Sequence, residues 1–248
     1  MPTDTLLPAI TPPFGYGDVV PLLHTHRIAP SKGVVPDGLR ATNAIPVTMT
    51  EMPKAGRDYP VVFASKDGGA SYGVVALLGL RSGENLFVTP QGTWRDDAYA
   101  PAYLRRYPFC MATVTRDGQL QDERILCVAS EALDNARGLP AEKQDGQPMS
   151  WWNEQRHLVL EYEADLMRTQ QLCDVVKKLD LLRPFGAQAI SKDGAVVNLA
   201  GMYRVEESLL ARRKADDLRM LIDKGIMGRL YAHMMSLDNL GRLLDLQS

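Results

Sequence analysis

YPVVFASKDGGASYGVVALLGLRSGENLFVTPQGTWRDDAYAPAYLRRYPF, residues 59–109, alternates short apolar runs with glycine-bearing turns. Val61-Val62-Phe63-Ala64 has the β-branched and aromatic content of a strand. Asp67-Gly68-Gly69 then offers the positive φ of a hairpin turn. Tyr72 to Leu80 is almost wholly apolar and reads as a central strand, with Gly79 marking a bulge or a close backbone approach. Asn85 to Thr89 reads as a third strand ahead of a Pro-Gln-Gly turn and Trp94. Just beyond, Phe109 to Val114, Asp117-Gly118 and Glu123 to Val128 form a further hairpin signal. Residues 59–130 are therefore expected to build a mostly antiparallel sheet.

Upstream, residues 1–58 are rich in proline, which lacks the amide donor and resists helix interiors. An extended arm is expected, with short strands at Val19 to Leu23 and Ala44 to Thr50 and a disordered first dozen residues. Downstream, a polar connection over 132–150 leads to apolar residues spaced by three or four: Val159, Tyr162, Leu166, Thr169, Cys173 and Val176. That spacing predicts a long amphipathic helix over about 151–182, stopped by Pro184. A hairpin is expected near 187–199 around Lys192-Asp193-Gly194. Helices follow from Glu206 to Ile222, closed by Gly225, and from Ser236 to Leu246. The expected fold is α+β. It has a mainly antiparallel sheet core over about 45–130 plus the 187–199 hairpin, covered by the long helix and the C-terminal helices. Residues 1–44 are taken as a proline-rich arm and 45–248 as one compact domain.

With 248 residues the chain is long enough for a sizeable core. Its formal net charge of -2 gives no electrostatic reason to expect nucleic acid or an anionic membrane as partner. The longest apolar run, Val74 to Leu80, is far too short to span a bilayer. The N-terminal MPTDTLLPAITPPFGYGD has neither the basic region nor the apolar run of a secretory signal, so a cytoplasmic protein is expected. Cys110, Cys127 and Cys173 are odd in number and far apart, without a CxxC pair, and are expected to be buried, reduced thiols.

The chemistry-bearing clusters are few. Trp94, Tyr99, Tyr103, Arg105, Arg106 and Tyr107 form the densest aromatic and cationic group. Aromatic faces beside guanidinium groups can clamp an anion or anchor a protein partner. Packing of the same rings over a sheet is the competing reading. His24-Thr25-His26 places two imidazoles on one side of an extended segment, a weak start for a metal site that lacks a third ligand. Cys110 as a nucleophile would need His157 or His233 brought beside it. Asp96-Asp97 and Asp122-Glu123 read as solvated loop carboxylates, and Asp216-Asp217 as complements to a helix dipole. Trp151-Trp152 opens the long helix, where one ring is either packed or open to a partner. There is no GxSxG elbow, no P-loop and no GxGxxG opening a helix, and no cofactor is expected.

ALLGLRSGENLFV, GTWRDDAYAPAYLRRYPF, LDLLRPF, DGAVVNLAGMYRVEESLL and GRLYAHMMSLDNLGRLL together resemble the bacterial SapC family, over about residues 45–246. The resemblance implies a setting rather than a reaction. The family takes its name from a locus for a crystalline surface layer, and its members look like companions of outer-membrane receptors and tailoring oxygenases or halogenases. The expectation is a non-catalytic accessory or binding protein of a bacterial surface or uptake system, contacting a protein partner or a small anionic ligand. An enzyme or enzyme partner subunit, and a surface-layer component, are the alternatives.

Overall fold

A computed structural model describes residues 9–29, 33–143, 145–186, 188–190, 196–198 and 201–247. The first strands are β1 (Ala9–Thr11), β2 (Val19–Pro21) and β3 (Arg27–Ile28), followed by helix α1 (Asp37–Arg40). Next come β4 (Ala44–Pro46), α2 (Met52–Ala55), β5 (Val61–Ala64), β6 (Gly73–Leu77) and α3 (Ala102–Arg105). The middle of the chain forms β7 (Phe109–Arg116), β8 (Gln119–Ala129), β9 (Leu139–Pro140) and α4 (Ser150–Lys178). Four short strands follow: β10 (Leu182–Phe185), β11 (Gln188–Ile190), β12 (Val196–Asn198) and β13 (Met202–Val205). The chain closes with α5 (Glu207–Ala211), α6 (Ala215–Asp223), α7 (Ile226–Ser236) and α8 (Asn239–Leu246). All strand pairings among the described residues are antiparallel, and the fold is α+β.

Two compact units share the chain: residues 1–40 with 104–163, and residues 41–103 with 164–248. In the first, β1-β7-β8-β2 make a four-stranded sheet, and β3 pairs with β9. The β7–β8 hairpin turns on Asp117 (φ 52°) and Gly118 (φ 76°), as Asp-Gly chemistry dictates. The proline-rich segment supplies both outer strands, β1 and β2. Proline is tolerated there because an edge strand's outward amide has no ladder partner to lose. Trp152 and Val159, two helical turns apart on α4, pack with Phe109, Val128 and Ala129 into this unit's core. Both tryptophans are anchored: the Trp152 ring lies 4.8 Å from Phe109, and Trp151 Nε1 donates to the Pro140 carbonyl at 3.2 Å.

In the second unit β10-β13-β5-β6-β4 form a five-stranded sheet, and β11-β12 pair separately. Val61, Val62 and Phe63 on β5 are fully buried. Gly79 is a close-approach glycine, since a Cβ there would sit 2.5 Å from the Glu84 carbonyl oxygen.

Several expectations change. Asn85–Thr89 does not form a ladder; Val88 makes one isolated bridge, to Trp94. Helix α4 ends at Lys178, with Asp180 left-handed (φ 45°), and Pro184 lies inside the edge strand β10 opposite Tyr203. The helix expected over 206–222 is broken into α5 and α6, and the stretch around Met234-Met235, which fits either a core-facing helix or a buried turn, forms α7. His24 and Thr25 sit in a turn, closed by His26 N–H donating to the Leu23 carbonyl, rather than in an extended segment. The hairpin near 187–199 is present as β11 and β12; its Lys192-Asp193-Gly194 turn, like residues 1–8 of the expected disordered start, lies outside the described residues. No helix among the described residues is long and apolar enough to cross a membrane.

Candidate functional site

The aromatic and arginine residues singled out by the sequence are divided between the two units: Trp94, Tyr99 and Tyr103 belong to the second, Arg105, Arg106 and Tyr107 to the first. Each set has its own local chemistry.

In the second unit the organising group is Glu51, at the start of α2. Thr48-x-x-Glu51 places a carboxylate one turn after a threonine, and Glu51 Oε2 reaches back to the Thr48 hydroxyl (2.8 Å) and N–H (3.3 Å). Its other oxygen accepts the Tyr99 hydroxyl at 2.9 Å and the Ala102 N–H. A 5% exposed carboxylate is costly without such donors; these tie the 99–102 segment to α2. Trp94 Nε1 donates to the Tyr59 hydroxyl (3.2 Å), which donates to the Tyr99 carbonyl. Burial pushes the Tyr59 phenol far above its ordinary value. Trp94 and Tyr103 are 6% and 4% exposed, so these two rings carry packing rather than contact with a second molecule.

This network leaves Tyr99 half-buried on the wall of an open cleft of about 500 Å³, lined also by Lys54, Arg57, Asp58, Asp96, Asp97 and Ala98. Two of the cleft's three aspartates are committed, while Asp96 is exposed. Asp58 accepts the Tyr99 N–H at 2.8 Å and faces Arg242 at 3.4 Å. Asp97 takes both prongs of the Arg95 guanidinium at 2.9 and 2.7 Å, which hold its carboxyl below the usual range. Lys54, in the last turn of α2, and Arg57, just beyond it, are exposed, and their side chains make no hydrogen bond or ion pair with any described residue. In the sequence both fall in the proline-rich stretch expected to be an extended arm, which hides them. The signal that marks them is the Thr48-x-x-Glu51 box followed by Pro53, a helix start.

In the first unit Arg106 is 1% exposed. Its Nη1 donates to Glu163 at 3.1 Å, and its Cζ lies 4.4 Å from the Tyr162 ring centroid. Arg124 also bonds Glu163, yet burial raises the Glu163 carboxyl against the pull of both arginines. Arg106 is thus spent on an internal carboxylate and is not a docking cation; Arg105 is the exposed member of the pair. Tyr107 is half-buried. Its hydroxyl donates to Glu131 at 2.6 Å, and burial, reinforced by that carboxylate, raises its phenol. Tyr107 and Glu131 line a smaller cleft of about 310 Å³ with Val34, Val35, Asp37 and Arg40.

The nucleophile and base candidates are internal. The Cys110 thiol is fully buried and pushed up to about 12. His233 is fully buried in the second unit: its Nε2 accepts the Val205 N–H at 3.0 Å, so its protonated Nδ1 donates to the Val61 carbonyl at 2.6 Å. Burial lowers its pKa to about 4. His157 is exposed on α4. Among the described residues, no three His, Cys, Asp or Glu side chains are placed to hold a metal ion, His24 and His26 included.

The strings that carry the family resemblance also have a structural meaning. In YAHMMSLDNL, His233, Ser236 and Asn239 all bind backbone of residues 56–61. No curated protein and no solved structure matches the sequence. The SapC family model matches residues 25–243, most of the chain, and the protein belongs to the SapC family.

Proposed function

We propose that this protein is a cytoplasmic, non-catalytic accessory or binding protein of a bacterial surface or uptake system, and that its Tyr99 cleft receives the anionic group of a small molecule or peptide. The carrying observation is the pair Lys54 and Arg57: two exposed cations at the rim of a cleft in which two of the three aspartates, Asp58 and Asp97, already have partners and the third, Asp96, is exposed. A carboxylate or phosphate there meets two cationic donors, with the Tyr99 ring as an apolar wall. An exposed charge contact is worth only about 1 kcal/mol or less, so recognition depends on both cations acting together with that wall. The setting rests on the family resemblance. The non-catalytic reading is supported by the burial of Cys110 and by the two backbone bonds that occupy both nitrogens of His233.

Titration of ¹⁵N-labelled full-length protein with inorganic phosphate, and separately with a terminally blocked Asp/Glu peptide, tests the reading. Amides of residues 54–58 and 96–99 are expected to shift together and saturate, with affinity falling as salt rises. Shifts elsewhere only, or equal binding by the Lys54→Ala/Arg57→Ala double variant, would overturn it.

A further inference from the structure

Cys110 and Cys127 are seventeen positions apart in sequence but stand directly opposite each other in the β7–β8 ladder. Opposed residues on antiparallel strands project to the same face, so the two thiols are neighbours on one side of the sheet. The kind of pair follows from the flanking bonds. Ala129 N–H donates to the Pro108 carbonyl at 2.9 Å. On the other edge of β8, Leu22 and Ser130 N–H groups bond Leu126 and Asp18 carbonyls. Odd-numbered β8 residues therefore bond toward β7, which makes Cys110–Cys127 a hydrogen-bonded pair. Its Cα atoms are then about 5.5 Å apart, inside the range of roughly 4.4–6.8 Å that a disulfide bridges. Both residues are fully buried and are free thiols, and burial raises both, Cys127 to about 11. Cys173, also a free buried thiol, belongs to the other unit.

We propose that Cys110 and Cys127 are a dithiol site that closes into a cross-strand disulfide with a low-molecular-weight disulfide such as oxidised glutathione as oxidant. The thiolate of one cysteine attacks the reagent, displacing one thiol and leaving a mixed disulfide. The second thiolate attacks the protein sulfur of that adduct, displacing the second thiol and forming the Cys110–Cys127 bond. Two electrons pass from the cysteine pair to the reagent, and the two protons leave with the two released thiols. Attack needs a thiolate and access, so burial makes the forward reaction slow and gated by opening of the strand pair. A bridge at a hydrogen-bonded cross-strand position departs from relaxed disulfide geometry and is correspondingly easy to reduce. The bridge would tie the strand ends that lead to Tyr107 and Glu131, the hydrogen-bonded pair of the smaller cleft.

The test uses the full chain, unfolded in urea and refolded in glutathione redox buffers of increasing oxidising ratio, which removes the kinetic barrier of burial. The product is alkylated and digested with trypsin without reduction. Peptide 107–116 joined to peptide 125–137, with Cys173 alkylated as a free thiol, is the expected result. The joined species should carry native circular dichroism and revert with dithiothreitol. Free thiols at both positions at every ratio, a glutathione adduct on one cysteine alone, or equal linkage to Cys173 would overturn the proposal.

Discussion

The same short segment, residues 54–61, is gripped by one set of side chains and displays another. His233, Ser236 and Asn239, from α7 and α8, take the backbone of Gly56, Tyr59 and Val61. Lys54, Arg57 and Asp58 face the cleft. On the clamp every named polar group has a partner, and His233 and Ser236 are fully buried. At the cleft the two cations project from the surface without one. Full satisfaction in a dry interior specifies a fold, whereas unsatisfied charge beside water is free to meet a ligand.

That contrast breaks most visibly at His233. His233→Ala removes two backbone bonds, leaves the Val205 amide without its acceptor and opens a cavity. A loss of about 3–5 kcal/mol in urea unfolding is expected. A smaller loss, comparable to a surface substitution, would deny the clamp its role.

Protonation attacks the same point without mutation. The folded His233 pKa of about 4 lies below the ordinary 6.5, so the unfolded chain takes up the proton first as pH falls. The clamp's contribution is complete above pH 6.5 and is lost as pH falls from there toward about 4, a total near 3 kcal/mol. The urea midpoint should track that window. A flat profile between pH 6.5 and 4 would mean that His233 accepts a proton in the folded state. Asn239→Ala should cost less, about 1–2 kcal/mol, since its side chain is only half-buried.

Elements that depend on local chemistry were legible in the sequence. Asp117-Gly118 announced the β7–β8 hairpin, Val61–Ala64 appears as β5 at its expected bounds, and the 3.6-residue spacing found α4. Elements decided by tertiary packing were not. Helix α7 opens on Gly225 (φ 66°) and carries Gly228, which weaken any periodic signal. Pro184 looked like a helix stop, but an edge strand accommodates it. The aromatic-arginine cluster was visible as composition, but sequence could not say that Trp94, Tyr103 and Arg106 point inward or that Glu163 waits for Arg106. The opposed cysteines were hidden for the same reason, because register is a property of the folded ladder.

The most direct test of the division of labour is one variant measured two ways. Lys54→Ala/Arg57→Ala should change unfolding stability by no more than about 0.5 kcal/mol. The same variant should weaken acidic-peptide binding by about tenfold or more, a loss of at least ~1.4 kcal/mol. Retained binding, or binding lost only in step with stability, would contradict the account.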